Sequence, residues 1–291
     1  MDEWGRRLAQ ALAVAVDRSL AGAPGMALAF SGGLDSSLLA LLASRRKGCE
    51  GAPDVRIAAM REAPGQGLLT PGTRRADGPA LSTPGHHERG GPALYTVGTR
   101  GARDIEASRR AAQRLGLEAR HVVIEVGEEE VLEAARGIRE LSPSATRVEL
   151  AFTAPLYIVC ARARERAVVT GDGADELFGG YHRYLRMGAE ELESALRADL
   201  DRLLEGGIQR HRAIARRFGR ELVTPYLDDE VVELARLIPP AEKVAGGERK
   251  VVLRRAARIL GLPEELCAAP KRAAQYGAGV MRVLEKHSAF G

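Results

Sequence analysis

The chain has 291 residues, with 43 Lys plus Arg against 39 Asp plus Glu and a formal net charge of +4; that is room for one large domain or two small ones, and too even a balance for a polyanion-coating protein. Hydrophobic residues make up 45% and charged residues 28%, which excludes wholesale disorder, collagen and coiled coil. No apolar run approaches the roughly 18 residues of a membrane span, the first residues lack a basic leader, and Cys49, Cys160 and Cys267 form no C-x-x-C pair, so a reducing cytoplasm is the expected setting.

Residues 2–20 repeat apolar side chains at Trp4, Leu8, Leu12, Val16 and Leu20, the spacing of one helix face. Met26–Phe30 reads as a short buried strand, followed by Ser31-Gly32-Gly33 and a helix from Asp35 to about Arg46. Gly48 to Leu94 holds six Pro and nine Gly. Asp54–Met60 could be a strand there, but about 61–92 reads as a flexible insertion. A strand returns at Ala93–Gly98. Asp104 caps a helix ending at Gly116, His121–Val126 is a strand, and Glu128–Leu141 and Leu150–Arg166 are helices. Ala167–Thr170 is a further strand, and from Tyr181 onward strand signals stop. Gly188–Arg220, Asp228–Leu237, Arg249–Leu260 and Gly279–His287 read as helical. Strands alternating with helices predict an α/β domain with a parallel sheet over 1–187, then an all-helical lobe over 188–291.

Two loops carry the chemistry. In Phe30-Ser31-Gly32-Gly33-Leu34-Asp35-Ser36-Ser37 a strand stops, glycines turn the chain and a helix begins. Free backbone N–H groups and the helix dipole then suit a phosphate, with the hydroxyls of Ser31 and Ser36 beside them. The loop is not G-x-x-x-x-G-K-[ST]. It offers Asp35, where a magnesium ion could bridge to pyrophosphate. The second loop is Thr170-Gly171-Asp172-Gly173-Ala174-Asp175-Glu176-Leu177-Phe178-Gly179-Gly180-Tyr181. It also follows a strand, at the sheet edge where α/β ligand sites form. Its three carboxylates repel one another unless a cation sits between them, and magnesium shared by Asp35 and Asp175 would answer that. Only five residues are Lys (47, 243, 250, 271, 286), so a lysine at a special position is informative.

Ser31–Ser36 resembles the pyrophosphate loop of the N-type ATP pyrophosphatases. The second loop, with Thr153-Ala154-Pro155-Leu156-Tyr157 before it, resembles the synthetase domain of glutamine-dependent asparagine synthetases and the related β-lactam synthetases. The likeness continues through Thr224-Pro225-Tyr226-Leu227-Asp228, Leu253-Arg254 and Pro270-Lys271 ahead of Gln275-Tyr276-Gly277, and spares only the Gly48–Leu94 region. NAD and GMP synthetases share the first motif and lack the second. The resemblance implies an adenine nucleotide alpha hydrolase-like PP-loop fold and Mg-ATP as substrate. Ser31, Gly32, Gly33 and Ser36 would cradle pyrophosphate, Asp35 and Asp175 would hold magnesium, and Val97-Gly98 and Thr170-Gly171 would flank adenosine. Asp172 stands where the family carries an acid near the substrate carboxylate or the attacking amine, and Glu176 is carried as a catalytic candidate with it. Lys271, with Arg272 as competitor, would stabilise transition-state charge; an ammonium beside the α-phosphate offsets charge as an acyl-adenylate forms or collapses.

The implied reaction is AMP- and pyrophosphate-forming amide ligation, with a carboxylic acid, aspartate first, activated for attack by ammonia or another amine. Alternatives are a PP-loop tRNA-modifying enzyme and an inactive ATP-binding regulatory subunit. Asparagine synthetases of this type begin with a glutaminase domain and a nucleophilic cysteine. Here residue 2 is Asp and the first loop starts at Ser31, so the expectation is free ammonia, a separate glutaminase subunit or another amine. Nucleic acid is not an expected partner, because the arginines at 210, 212, 216, 217 and 220 read as a solvated helix face without an aromatic platform. A homo-oligomer is left open. His86-His87-Glu88 lacks further metal ligands nearby, and Cys160 reads as core.

Overall fold

The computed structural model describes residues 2–21, 25–45, 91–269, 277–287 and 290. The Asp54–Met60 strand, the 61–92 insertion up to Gly90, His86-His87-Glu88, Cys49, Lys271, Arg272, Gln275 and Tyr276 lie outside those residues. Helix α1 (Glu3–Ser19) is capped by Asp2, whose carboxylate accepts from Gly5 N at 3.0 Å, and it buries Leu8, Leu12, Ala15 and Val16. Strand β1 (Met26–Ala29) then enters the sheet and α2 (Leu34–Ser44) leaves it. β2 (Pro92–Thr99), α3 (Arg103–Leu115), β3 (His121–Val126), α4 (Glu128–Leu141), α5 (Arg147–Arg162) and β4 (Ala167–Val169) follow. Asp104 sits in the first turn of α3 rather than at its cap, which is Ala102. The fifth helix starts three residues before its expected Leu150, because Thr146 and Glu149 form a reciprocal capping box.

Strand signals do not stop at Tyr181. After α6 (Ala174–Phe178), α7 (Ala189–Arg202) and α8 (Ile208–Arg217), β5 (Glu221–Val223) joins the sheet beside β4. Three residues behind an arginine-rich helix give too short a pattern to read from sequence. The expected 188–220 helix is also divided, by a π-helical turn at Leu203–Gly207. The chain continues with α9 (Asp229–Leu237), α10 (Pro240–Lys243), the hairpin β6 (Val244–Ala245) and β7 (Glu248–Arg249), α11 (Val251–Ile259), α12 (Glu264–Cys267) and α13 (Val280–Leu284).

The five-stranded sheet is wholly parallel, in the order β3-β2-β1-β4-β5. It is an α/β fold, with helices on both faces and a largely helical C-terminal part. One apolar layer joins α1, α2, α9, α11 and α12. The other joins α4, α5, α8 and α13. The C-terminal helices thus complete the same two layers that the first strands and helices begin, and a small separate cluster holds Tyr184, Leu192 and Leu196. From β1 the chain runs outward to β3, then returns to place β4 on the other side of β1. That reversal is where an open α/β sheet leaves a crevice beyond its strand ends. Leu28 pairs with Val169, so the loops after β1 and β4 leave the sheet level with each other.

Candidate functional site at the sheet edge

The first loop is shaped by backbone. Gly32 has φ +72°, and a Cβ there would stand 2.6 Å from the Ala107 carbonyl and the Ser108 nitrogen of α3. Only glycine fits both the conformation and the space. The α2 N-terminus has no side-chain cap. The Ser31 and Ser36 hydroxyls lie 3.3 Å apart, Ser36 Oγ donates to the Gly33 carbonyl at 3.4 Å, and Ser31 Oγ accepts from Gly33 N at 3.4 Å. These long internal bonds are ones that an anion's oxygens could replace. Val97 and Gly98 lie near the C-terminal end of β2, on the far side of β1 from Thr170 and Gly171, so the two backbone pairs flank the first loop. A Cβ on Gly171 would lie 3.4 Å from Asp35 Cβ, so the two loops touch.

The second loop meets its three carboxylates in three ways. Asp175 Oδ1 lies 2.6 Å from Lys250 Nζ, and Asp35 Oδ1 accepts from the same Nζ at 2.7 Å. The carboxylates expected to share a cation do converge on one, and it is an ammonium. Lys250 is 1% exposed. It stands between β7 and α11, and among the described residues it is the one non-glycine with positive φ, 58°, a conformation that costs a lysine about 1 kcal/mol. Neighbouring arginines fix that junction. Arg249 Nη1 donates to the Gly180 carbonyl at 2.8 Å. Buried Arg254 donates to the carbonyls of Arg249 and Ala269 at 2.9 and 3.2 Å, and also to that of Cys267. Leu253-Arg254 pointed to this region; Lys250 was missed. Its signals were its rarity as a lysine and its place three residues before Leu253.

Asp172 is answered differently. Its Oδ2 accepts from Thr170 Oγ1 at 2.7 Å and lies 2.9 Å from His211 Nδ1. Burial opposes its charged form, but the His211 ring and the two hydrogen bonds outweigh this and hold the carboxyl below the usual range. Glu176 has no cation among the described residues. Burial first, then the Asp175 charge, pushes it up to about 7, and Tyr181 donates its hydroxyl to Glu176 Oε1 at 2.5 Å. Glu176 is therefore close to the other acids but turned into the core. Behind Asp35, buried Tyr226 donates to the Asp35 carbonyl at 3.1 Å, which accounts for the Tyr226 in the motif after β5.

The donor set fits a magnesium ion carried with ATP. Two hard carboxylate oxygens already gather about one positive charge, and phosphate oxygens would complete the shell. Among the described residues no group of three or more His, Cys, Asp or Glu could hold a metal alone. No helix among them is long and apolar enough to cross a membrane. The arginine run is less solvated than its spacing suggests. Arg210 is buried on Glu149 at 2.6 Å, Arg217 pairs with Glu140 at 2.9 Å, and Arg220 holds the carbonyls of Cys160, Ala163 and Arg164 at the end of α5. Arg212 and Arg216 line a surface cleft with Arg166. Cys160 is core, its thiol pushed up to about 12 by burial.

Comparison with known proteins identifies similar chains. The family described as Asparagine synthase matches residues 7–191 and 186–288. A Methanocaldococcus jannaschii protein named "Putative asparagine synthetase (glutamine-hydrolyzing) 1" is 32% identical over 231 residues, 65% of this chain and 42% of that one. "Asparagine synthetase domain-containing protein 1" of Mus musculus is 34% identical over 134 residues, covering 43% of this chain and 21% of its own. "Asparagine synthetase B (glutamine-hydrolyzing)" of Escherichia coli is 27% identical over 155 residues, 52% of this chain and 27% of the relative. The matched part is thus less than half of each of these three relatives.

Proposed function

The chain belongs to the asparagine synthase family, and from that premise we propose that it is an ATP-dependent amide ligase that forms AMP and pyrophosphate. A substrate carboxylate oxygen attacks the α-phosphorus of ATP, the bond to the β-phosphate oxygen breaks, and acyl-AMP and pyrophosphate result. A nitrogen nucleophile then attacks the acyl carbon, the bond to AMP breaks with its electron pair, and an amide remains. Aspartate is the proposed acid and ammonia the proposed nitrogen source. Ammonia arrives free or from a separate glutaminase subunit, in a cytoplasmic setting.

The observation that carries this reading is the convergence of Asp35 and Asp175, one from each loop, on a single buried cation. Ser31, Gly32, Gly33 and Ser36 would hold the pyrophosphate through backbone N–H and hydroxyl donors. Asp35 and Asp175 would hold magnesium, which when bound supplies charge neutralisation at the phosphate oxygens. Lys250 would follow the phosphates as they acquire charge, and Lys271 is proposed as the second ammonium of the site. Val97, Gly98, Thr170 and Gly171 would present backbone to adenosine. Asp172 would face the acyl or nitrogen substrate, with Glu176 as the further acid of the loop. The protein's work is positioning and electrostatic stabilisation.

The test is incubation with Mg-ATP, aspartate and ammonium, following pyrophosphate, AMP and asparagine. Equal amounts of the three support the proposal. Pyrophosphate release with a different acid only would move the substrate, and ATP binding without pyrophosphate from any acid would overturn the ligase reading.

A further inference from the structure

His211 is a buried titratable side chain that the reaction above does not use. It sits on α8, 4% exposed, with the Phe152 ring of α5 edge-on at 6.3 Å between centroids. Nδ1 lies 2.9 Å from Asp172 Oδ2, and Nε2 is buried without a hydrogen-bond partner among the described residues. With a carboxylate oxygen at Nδ1, that nitrogen carries the donated proton.

Both donors to Asp172, Thr170 Oγ1 and His211 Nδ1, end on Oδ2. Oδ1 makes no hydrogen bond to a described residue, and the Asp172 side chain is 20% exposed. Oδ1 is therefore the carboxylate oxygen left without a donor among the described residues. Asp172 adjoins Gly171, which packs against the Asp35 side chain, so the residue stands next to the first loop. An ionised acceptor there attracts the N–H groups of an ammonium or amine and repels a substrate carboxylate.

We propose that His211 is a positioning residue for the amine-transfer step, fixing the Asp172 carboxylate so that Oδ1 is offered to the N–H groups of the incoming nitrogen. This rests on the ligase reading. As the nitrogen bonds to the acyl carbon and AMP departs with its electron pair, the proton that nitrogen loses passes to Oδ1. His211 keeps its own proton and touches neither substrate.

The two half-reactions separate this role from a merely structural one. His211→Phe keeps a ring against Phe152 and removes the donor. His211→Asn keeps a donor near the place of Nδ1. Aspartate-dependent exchange of labelled pyrophosphate into ATP reads adenylation, and asparagine formation against ammonium concentration reads amine transfer. His211→Phe should leave exchange within about threefold and lower asparagine formation about 30-fold, the loss of one charge-assisted hydrogen bond. Much of that loss should appear as a higher ammonium KM. His211→Asn should recover about tenfold of it. If the Phe variant does not fold, His211→Gln, whose donor lies one bond too far out, should show the same split. A parallel fall in exchange and amide formation, or amide formation untouched in both donor-disrupting variants, overturns the proposal. Wild-type protein that exchanges pyrophosphate with no carboxylate overturns the ligase reading and this inference with it.

Discussion

The loop at Ser31–Ser36 and the loop at Thr170–Tyr181 lie side by side on one sheet edge but hold their polar groups by different means. The first is local. Its glycine is fixed by the backbone of α3, and its two serine hydroxyls bond to each other and to the loop itself. The second depends on distant partners. His211 reaches Asp172 across 39 residues, and the lysine that meets Asp175 also meets Asp35 across 215. An anion cradle needs only backbone geometry, whereas an acidic loop needs compensating charge that its own few residues cannot supply.

The largest expected effect tests that dependence. Lys250→Met leaves Asp35 and Asp175 facing each other without their cation. It should lower pyrophosphate formation about 1,000-fold and unfolding stability by about 3 kcal/mol. Magnesium should then raise the melting temperature of the variant more than that of the wild type; equal shifts would break the view that the two carboxylates form one cation site.

A pair of glycine substitutions sharpens the comparison. In Gly32→Ala the new methyl meets the rigid backbone of α3 at a positive φ, so stability should fall by about 2 kcal/mol or more. In Gly180→Ala it meets the Asp175 carboxylate and Lys250 Cε, ends of side chains that can swing away. Stability should then change by under about 1 kcal/mol while activity falls about 100-fold. Chemical denaturation and pyrophosphate release measure the two; the reverse ranking would refute the contrast between a backbone-built and a side-chain-built loop.

The smallest effect concerns the back of the second loop. There Lys243 packs behind Gly179, and burial brings its pKa down to about 8, with Glu193 opposing. The unfolded chain therefore binds the extra proton between about pH 8 and 10.5. Stability from this group rises with pH across that window, and below about 8 its cost is constant. Lys243→Met should stabilise the protein by about 1 kcal/mol at pH 7, and the gain should vanish toward pH 10.5. A gain independent of pH would show that the charge is not the cause.

The difference between the loops also explains what could be read from the sequence. Ser31–Ser36 and the four strands of alternating β and α pattern are local signals, and they lie where the pattern puts them. Thr170–Tyr181 was legible as an acidic loop wanting a cation, but the identity of that cation was not. Lys250 is placed by a left-handed φ at the junction of β7 and α11, and His211 sits among arginines on a helix whose inward face depends on where α5 packs. β5 escaped for a related reason. Three residues show no period, and the pairing with β4 comes from the fold.

The central place of β1 also governs how the chain can fold. Met26 must find Pro92 on one side and Ala167 on the other, and α1 packs on α11 near the far end of the sequence. Such non-local closure makes for slow folding. A chain still being synthesised presents β1 with one edge unpaired until β4 has emerged, and that edge is a template for wrong pairing. The acid pair meets its lysine later still, so binding competence is among the last properties the nascent protein acquires.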